Sequence, residues 1–366
     1  MLMRSLLAAA VSLVLAGQAQ AVDQMASIEQ NGNNNTVEVT QLGGTYLWTE
    51  LTQNGDSNEA TVTQAGTNVS VEATQQGVAN QLTATQEGFG TWVRSHQEGE
   101  GNLQSISQRS EGGVTAYVYQ YGADNEAYVV QNDGDYNDGR INQHGQQNVL
   151  RLEQTYILNS LDATQEGTRN LANVRQTGHV TAQINQTGLA NEVDLQQGAY
   201  SRANALISQT GEYNEASVSQ SERSYDSSSD LYLTQTGASN KADVYTGTAE
   251  GLLDFTQIGT GNELIARQGV RNGSVTGISR GDYNEVFFVQ TGDGNSLDLA
   301  QSGSDNVIEA FQMKDGASGD VGIIDQTGTG NYARLTQGID SLGSGMDTAT
   351  IMQNGMNNSA TVTQRQ

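Results

Sequence analysis

Residues Gln53 to Gln64 read QNGDSNEATVTQ, a frame of the form Q-x-G-x-x-N-x-hydrophobic-x-hydrophobic-x-Q. After Asn58, the residues Ala60, Val62 and Gln64 share one face of an extended chain, and Glu59, Thr61 and Thr63 share the other. A period of two marks a β-strand with one buried face. The same parity holds before the turn, where Leu51 precedes Gln53. The frame therefore reads as strand, G-x-x-N turn, strand, with small aliphatics and an amide pointing into a shared interior.

The frame recurs along the chain. Copies begin at Gln30, Gln53, Gln75, Gln97, Gln120, Gln143, Gln165, Gln186, Gln209, Gln235, Gln257, Ser279, Gln301, Gln326 and Gln353, which makes fifteen. Successive starts lie mostly 22 or 23 residues apart, with longer steps where Ser221 to Asp230, Met313 to Asp320 and Gly338 to Asp347 are inserted as expected surface loops. The turn glycines are Gly32, Gly55, Gly77, Gly99, Gly122, Gly145, Gly167, Gly188, Gly211, Gly237, Gly259, Gly281, Gly303, Gly328 and Gly355. Inward sets repeat with them: Val71, Ala73 and Gln75; Ala182, Ile184 and Gln186; Val286, Phe288 and Gln290. A second Gln falls halfway between copies, as at Gln41, Gln64, Gln86, Gln108, Gln131 and Gln154, followed in most copies by a looser connection without the full G-x-x-N.

A two-strand unit this small cannot bury its apolar face alone, so neighbouring units must stack. The expected fold is all-β: a β-solenoid of about fifteen strand-turn-strand rungs with two parallel sheets, cross-β and amyloid-like, its strands roughly 4.8 Å apart. An interior two side chains wide suits Ala, Val, Leu and Ile and leaves no room for larger groups. Buried primary amides left unpaired cost about 1 to 3 kcal/mol per group, and identical amides stacked rung on rung satisfy one another as ladders. The ladder positions are Gln30, Asn35 and Gln41; Gln53, Asn58 and Gln64; Gln75, Asn80 and Gln86; Gln97, Asn102 and Gln108; Gln120, Asn125 and Gln131; and, at the far end, Gln353, Asn358 and Gln364.

Composition agrees with this reading. The 366 residues include 39 Gln and 31 Asn, 43 Gly and no proline. Proline would remove an N–H from a strand that pairs on both sides. With no cysteine, disulfides, thiolate metal sites and cysteine nucleophiles are excluded. A formal charge of -25 opposes binding to nucleic acid or anionic lipid. Residues 1–21 carry Arg4, the apolar run Leu6 to Leu15 and the small-residue end Ala19-Gln20-Ala21, the pattern of a cleaved secretory signal. Residues 22–25 then form a short N-terminal segment, and 26–366 form the repeat array. No segment reaches the roughly 20 apolar residues that span a bilayer as a helix.

Chemistry-bearing motifs are sparse. His96, His144 and His179 sit in different copies at unrelated offsets without a repeated acidic or seryl partner, and read as ordinary face or turn residues. Arg140 with Arg151, and Arg169 with Arg175, are too scattered for a lyase site on a β-helix. Asp133 to Gly139 (DGDYNDG) resembles one ion-binding loop, but no tandem nonapeptide array follows, and Asp is also a common turn residue. The sequon at Asn68 is incidental in an amide-rich chain. No catalytic, cofactor or metal site is assigned, and the chain reads as a non-enzyme.

The frame resembles the curlin repeat of bacterial curli subunits, in which two Gln eleven residues apart flank a G-x-x-N and a small aliphatic. Gln120-Tyr-Gly122-Ala-Asp-Asn125-Glu-Ala127 and Gln209-Thr-Gly211-Glu-Tyr-Asn214-Glu-Ala216 carry it most closely, and it covers about residues 26 to 364. The resemblance implies a functional amyloid, secreted and polymerising on the bacterial surface for biofilm matrix, adhesion and attachment. It further implies partners: other copies of itself, a nucleator subunit, and an outer-membrane secretion pore with accessory chaperones. It also implies that the terminal amides Gln30, Asn35, Gln41, Gln353, Asn358 and Gln364 govern nucleation. The last copy, QNGMNNSATVTQ, stays close to the frame, which favours a major over a minor, nucleating subunit.

Monomeric solenoids protect their ends with atypical caps, because an open rung exposes unpaired N–H and C=O groups. The first and last copies here are ordinary repeats, so head-to-tail growth into a filament is expected. The alternative is a monomeric β-solenoid adhesin or an ice-binding surface protein, for which outward pairs such as Thr61 with Thr63 and Thr361 with Thr363 recur too rarely. Glu follows the turn Asn at Glu59, Glu126, Glu192, Glu215, Glu263 and Glu285, and these outer carboxylates repel when copies approach. Protonating them by lowering pH into the carboxylate range, or screening them with salt, is expected to shorten the lag before fibres form. A lag that stays constant through both titrations removes the Glu rows from the explanation.

Overall fold

The computed structural model describes residues 10–16, 22–199, 202–222, 228–247, 250–314, 319–338 and 346–364. Every regular element among them is a β-strand. Two compact units divide the chain, Met1–Thr177 and Gly178–Gln366.

In the first unit, the strands that lead into the G-x-x-N turns form one parallel stack. It runs from Val22–Asn33, through the later halves of Thr36–Asp56 and Glu59–Val78, to Thr91–Glu100, Val114–Ala123, Asp138–Gln146 and Ser160–Thr168. The strands that leave the turns form a second parallel stack ending at Val149–Thr155 and Leu171–Thr177. The register never slips at the amides: Gln53 pairs with Gln75, Gln75 with Gln97, Gln97 with Gln120 and Gln143 with Gln165. Seven rungs result, each a pre-turn and a post-turn strand on opposite sides of one core.

The second unit repeats the plan over eight rungs. Gln186 pairs with Gln209, Gln209 with Gln235 and Gln235 with Gln257 in one sheet, and Gln268 with Gln290, Gln290 with Gln312 and Gln337 with Gln364 in the other. The fold class is thus a parallel β-solenoid in each unit. Much of the expected inserts, residues 223–227, 315–318 and 339–345, lies outside the described residues. So do residues 1–9 and 17–21 of the expected leader. Its described part, Ala10–Ala16, pairs in parallel with Thr36 to Leu42 of the first post-turn strand.

Burial alternates as the parity requires. Ala60, Val62, Gln64, Val71, Ala73 and Gln75 are buried, whereas Glu59 is exposed. The expectation that nothing larger than Leu or Ile fits inside is corrected by Phe255, which is fully buried; Phe288, also fully buried, points inward as its parity requires. Volume is balanced between rungs instead of within one. Phe255 pairs with Gly277, where an added Cβ would lie 2.2 Å from the phenyl ring. Phe288 stands between Ala266 and Ala310 on the adjoining rungs. Core packing at native density tolerates a large side chain only where its neighbour is correspondingly small.

Candidate functional site: the amide and glycine ladders

Glutamine comes first, because it recurs at one register position on each sheet, interrupted at Thr246 and Ser279. In the first unit each Gln donates its Nε2–H to the Oε1 of the Gln on the next rung. Gln30 reaches Gln53 at 2.7 Å, Gln53 reaches Gln75 at 2.7 Å, Gln75 reaches Gln97 at 2.9 Å and Gln97 reaches Gln120 at 3.1 Å. The facing row runs Gln41, Gln64, Gln86, Gln108, Gln131, Gln154 at 2.7 to 3.1 Å. The second proton is spent on the backbone; Gln75 also donates to the carbonyls of Glu59 and Asn80, at 2.9 and 3.1 Å. The carboxamide is therefore satisfied without water, as a buried polar group must be.

Asparagine runs the opposite way. Asn80 donates from Nδ2 back to Asn58 Oδ1 at 3.1 Å and forward to the Gly99 carbonyl at 3.1 Å, and its backbone N–H also donates to Asn58 Oδ1. Asn58 makes the same contacts with Asn35 and Gly77, and Asn102 and Asn125 with Asn80 and Gly122, and with Asn102 and Gly145. In the second unit Asn358 closes the row by donating to Asn331 Oδ1 at 2.9 Å. Each Asn ties its own turn to the turns above and below.

The turn glycines share this geometry. Gly55 has φ +123°, and a Cβ there would lie 2.0 Å from the Gly77 carbonyl oxygen. The same clash, with the Gly of the following rung, recurs within each unit, from Gly32 to Gly145 and from Gly188 to Gly328. Gly355 differs: a Cβ there meets only Asn358 Nδ2, at 3.4 Å. Sequence reading missed two features. The residue before the turn Asn is left-handed in every copy, including Ser57, Ala79, Tyr213 and Asn357 near φ +55° to +60°. Gly44, Gly66 and Gly88 stack in the looser connection of the early rungs with the same close approach, a Gln-x-Gly signal visible after Gln64 and Gln86.

The ladders have gaps and ends. Ser279 and Thr246 stand in Gln rows; Ser279 Oγ still donates to Gln301 Oε1 at 3.2 Å, but the buried Thr246 hydroxyl has no partner. On the first rung, the Oε1 atoms of Gln30 and Gln41 are buried and unpaired. On the last, Gln353 and Gln364 donate to the backbone carbonyls of Tyr332 and Thr348.

Outside the core, ion pairs such as Arg94 with Glu72 (2.7 Å), Arg175 with Glu153 (2.9 Å) and Lys241 with Glu215 (3.5 Å) bridge adjacent rungs. Half-exposed pairs of this kind are each worth about 0 to 1 kcal/mol. Lys241 interrupts the outer Glu row, leaving Glu192 over Glu215 and Glu263 over Glu285 as stacked like charges. Partial burial, then a hydrogen bond to Glu126, pushes the Tyr128 phenol up from its ordinary value; burial and Glu309 do the same for Tyr332. Both remain neutral donors. Asp133 and Asp135 line an open cleft of about 510 Å³ with Glu87, Arg109 and Glu111. Among the described residues no group of three or more acidic or histidine side chains could hold a metal ion. His96 and His144 lie on an outer sheet face, each against Tyr121.

The family model of the curlin associated repeat matches residues 49–77 and 322–365. Those two stretches of the chain are similar to the curlin associated repeat. The first match holds Gln53, Asn58, Gln64 and Gln75, and the second holds Gln326, Asn331, Gln337, Gln353, Asn358 and Gln364, so both contain every class of ladder residue. Curlin is a structural, non-enzymatic family. No curated protein matches the chain. Among the described residues no helix is long and apolar enough to cross a membrane.

Removing one carboxamide leaves several buried partners unmet, so Asn102→Ala is expected to lower stability by about 2 to 4 kcal/mol. Ala79→Gly, which relieves a left-handed alanine worth roughly 1 kcal/mol, is expected to leave stability equal or higher. Thermal or denaturant unfolding of both variants decides. Equal effects of the two substitutions would remove the ladder from the stability argument.

Proposed function

We propose that this protein is the repeating subunit of a secreted, curli-type extracellular fibre, added copy to copy and head to tail, serving biofilm matrix and surface attachment. On this reading residues 1–21 are the export signal, and a nucleator and an outer-membrane pore with accessory chaperones are its partners. Of the two curlin roles, the uniform terminal copies favour the major one.

The supporting observation is the unpaired, buried Oε1 of Gln30 and Gln41 on the first rung. These acceptors match the polarity of the Gln rows, in which each Gln donates from Nε2 to the Oε1 of the Gln on the following rung, as Gln30 to Gln53 and Gln326 to Gln353. In the fibre, Gln353 of one copy would donate to Gln30 of the next, Gln364 to Gln41, and Gly355 would lie against Gly32. The strand Ala10–Ala16 lies along the edge that such a contact would use, so the reading requires its removal with the leader. A contact of this kind does not close on itself and yields a filament.

The mature chain, Val22 to Gln366, is expected to bind an amyloid dye and form fibres visible by electron microscopy. Gly355→Ala is the sharper probe: in the single chain its Cβ meets only Asn358 Nδ2, at 3.4 Å, and adds the local strain of a φ of +118°, whereas in the fibre it would also meet the next copy's first turn. That variant is expected to fold and to elongate preformed seeds at least about tenfold more slowly. A chain that stays monomeric at high concentration, or a Gly355→Ala variant that elongates at the normal rate, overturns the head-to-tail contact.

A further inference from the structure

Both tryptophans of the chain stand on one outer face of the first unit. Trp48 pairs with Ser70 and Ser70 with Trp92, so the indoles occupy one register row two rungs apart. The next rung brings Tyr117, Tyr119 and Tyr121 to the same face, and the one after it brings Arg140 and His144. Ring contacts link them: Trp92 with Tyr117 at 5.8 Å, His96 with Tyr121 at 5.2 Å, and Tyr121 stacked on His144 at 4.7 Å with planes 6° apart. Trp92 remains 37% exposed.

Cross-rung pairing alone does not explain this placement. Elsewhere on these rows of the same unit, Ser70, Thr74, Ser160 and Thr164 keep the register with small hydroxyl side chains. The aromatic cluster instead leaves a contiguous amphipathic surface in water, which in a polar chain marks a binding face. Its cations are each matched, and Glu50 and Asp138 leave an acidic excess. Glu72 holds Arg94, Glu98 lies 3.7 Å from His96, and Asp162 stands in register with Arg140. The face therefore offers no field to attract a polyanion, which the -25 charge of the chain also repels. What it complements is an uncharged ligand with flat apolar faces and hydroxyls at its rim.

We propose that this face binds a neutral β-linked polysaccharide lying along the direction in which rungs stack. The apolar face of a pyranose rests on an aromatic ring, while its equatorial hydroxyls reach Arg94, Asn142 and the tyrosine hydroxyls. Trp48 and Trp92 are separated by two strand spacings, roughly 10 Å, which matches about two pyranose units of an extended chain. The site lies within one copy and does not depend on fibre formation.

The test uses freshly purified chain before fibres appear. Since both tryptophans belong to the face, a soluble neutral β-1,4-glucan (hydroxyethyl cellulose) is expected to shift their fluorescence saturably, and insoluble cellulose to retain the protein. Trp92→Ser, which copies Ser70 of the same row, combined with Tyr121→Ala, is expected to weaken retention about tenfold with unchanged thermal unfolding. Tyr128→Ala, on the other sheet, is expected to leave it unchanged. Should the double variant unfold, Trp92→Ser alone carries the comparison. Equal retention of wild type and variant, absence of retention, or tighter binding to carboxymethylated glucan would each overturn the proposal.

Discussion

A primary amide buried in a core two side chains wide has one economical solution, which is another copy of itself a strand spacing away. That requirement sets the register. If Gln75 must meet Gln97, then Ala73 meets Ser95, Gly77 meets Gly99 and Glu72 meets Arg94. Hydrophobic burial supplies most of the driving force in such a core, but apolar contacts are indifferent to a slip of two residues. Carboxamides are not, because a slip strands two donors and an acceptor in a dry interior. The Gln and Asn rows thus act as register locks, and the turn glycines follow from them, since turns held this close leave no space for a Cβ.

Opposite polarity in the two rows ties strands and turns together. The Gln rows hand protons from each rung to the next, while the Asn rows hand them back and also reach forward to the glycine carbonyl. Each rung is both donor and acceptor toward each neighbour. Where a row is interrupted, as at Thr246, a buried hydroxyl is left without a partner. The first rung carries the same deficit at Gln30 and Gln41.

Much of this was legible in residues 53–64, since alternation and spacing fix strand, turn and stacking, and a repeated amide in an apolar row implies a ladder. The direction of each ladder was not, because a carboxamide carries donor and acceptor alike and its orientation is set by backbone carbonyls such as Glu59 and Asn80 that register alone brings near. The left-handed residue before the turn Asn was also hidden. Only Gly101, Gly261 and Gly330 advertise it, and Ala79 or Tyr213 adopt it because the Asn ladder holds the turn on both sides. Phe255 defeated the expectation of a small-residue core, since Gly277 lies 22 positions away and makes room only once the register is known. The outer aromatic face was invisible for a similar reason: Trp48, Trp92 and Tyr117 become neighbours only when rungs are superposed.

The most direct test of the amide constraint is residue-resolved hydrogen exchange of side-chain carboxamides in the isolated chain. The Nε2 protons of Gln97 and the Nδ2 protons of Asn102 should exchange as slowly as the backbone amides of the strands around them, and far more slowly than those of the exposed Gln76 and Asn33. Exchange of the buried carboxamides at the rate of the exposed ones would contradict the ladder as the interaction that holds the register.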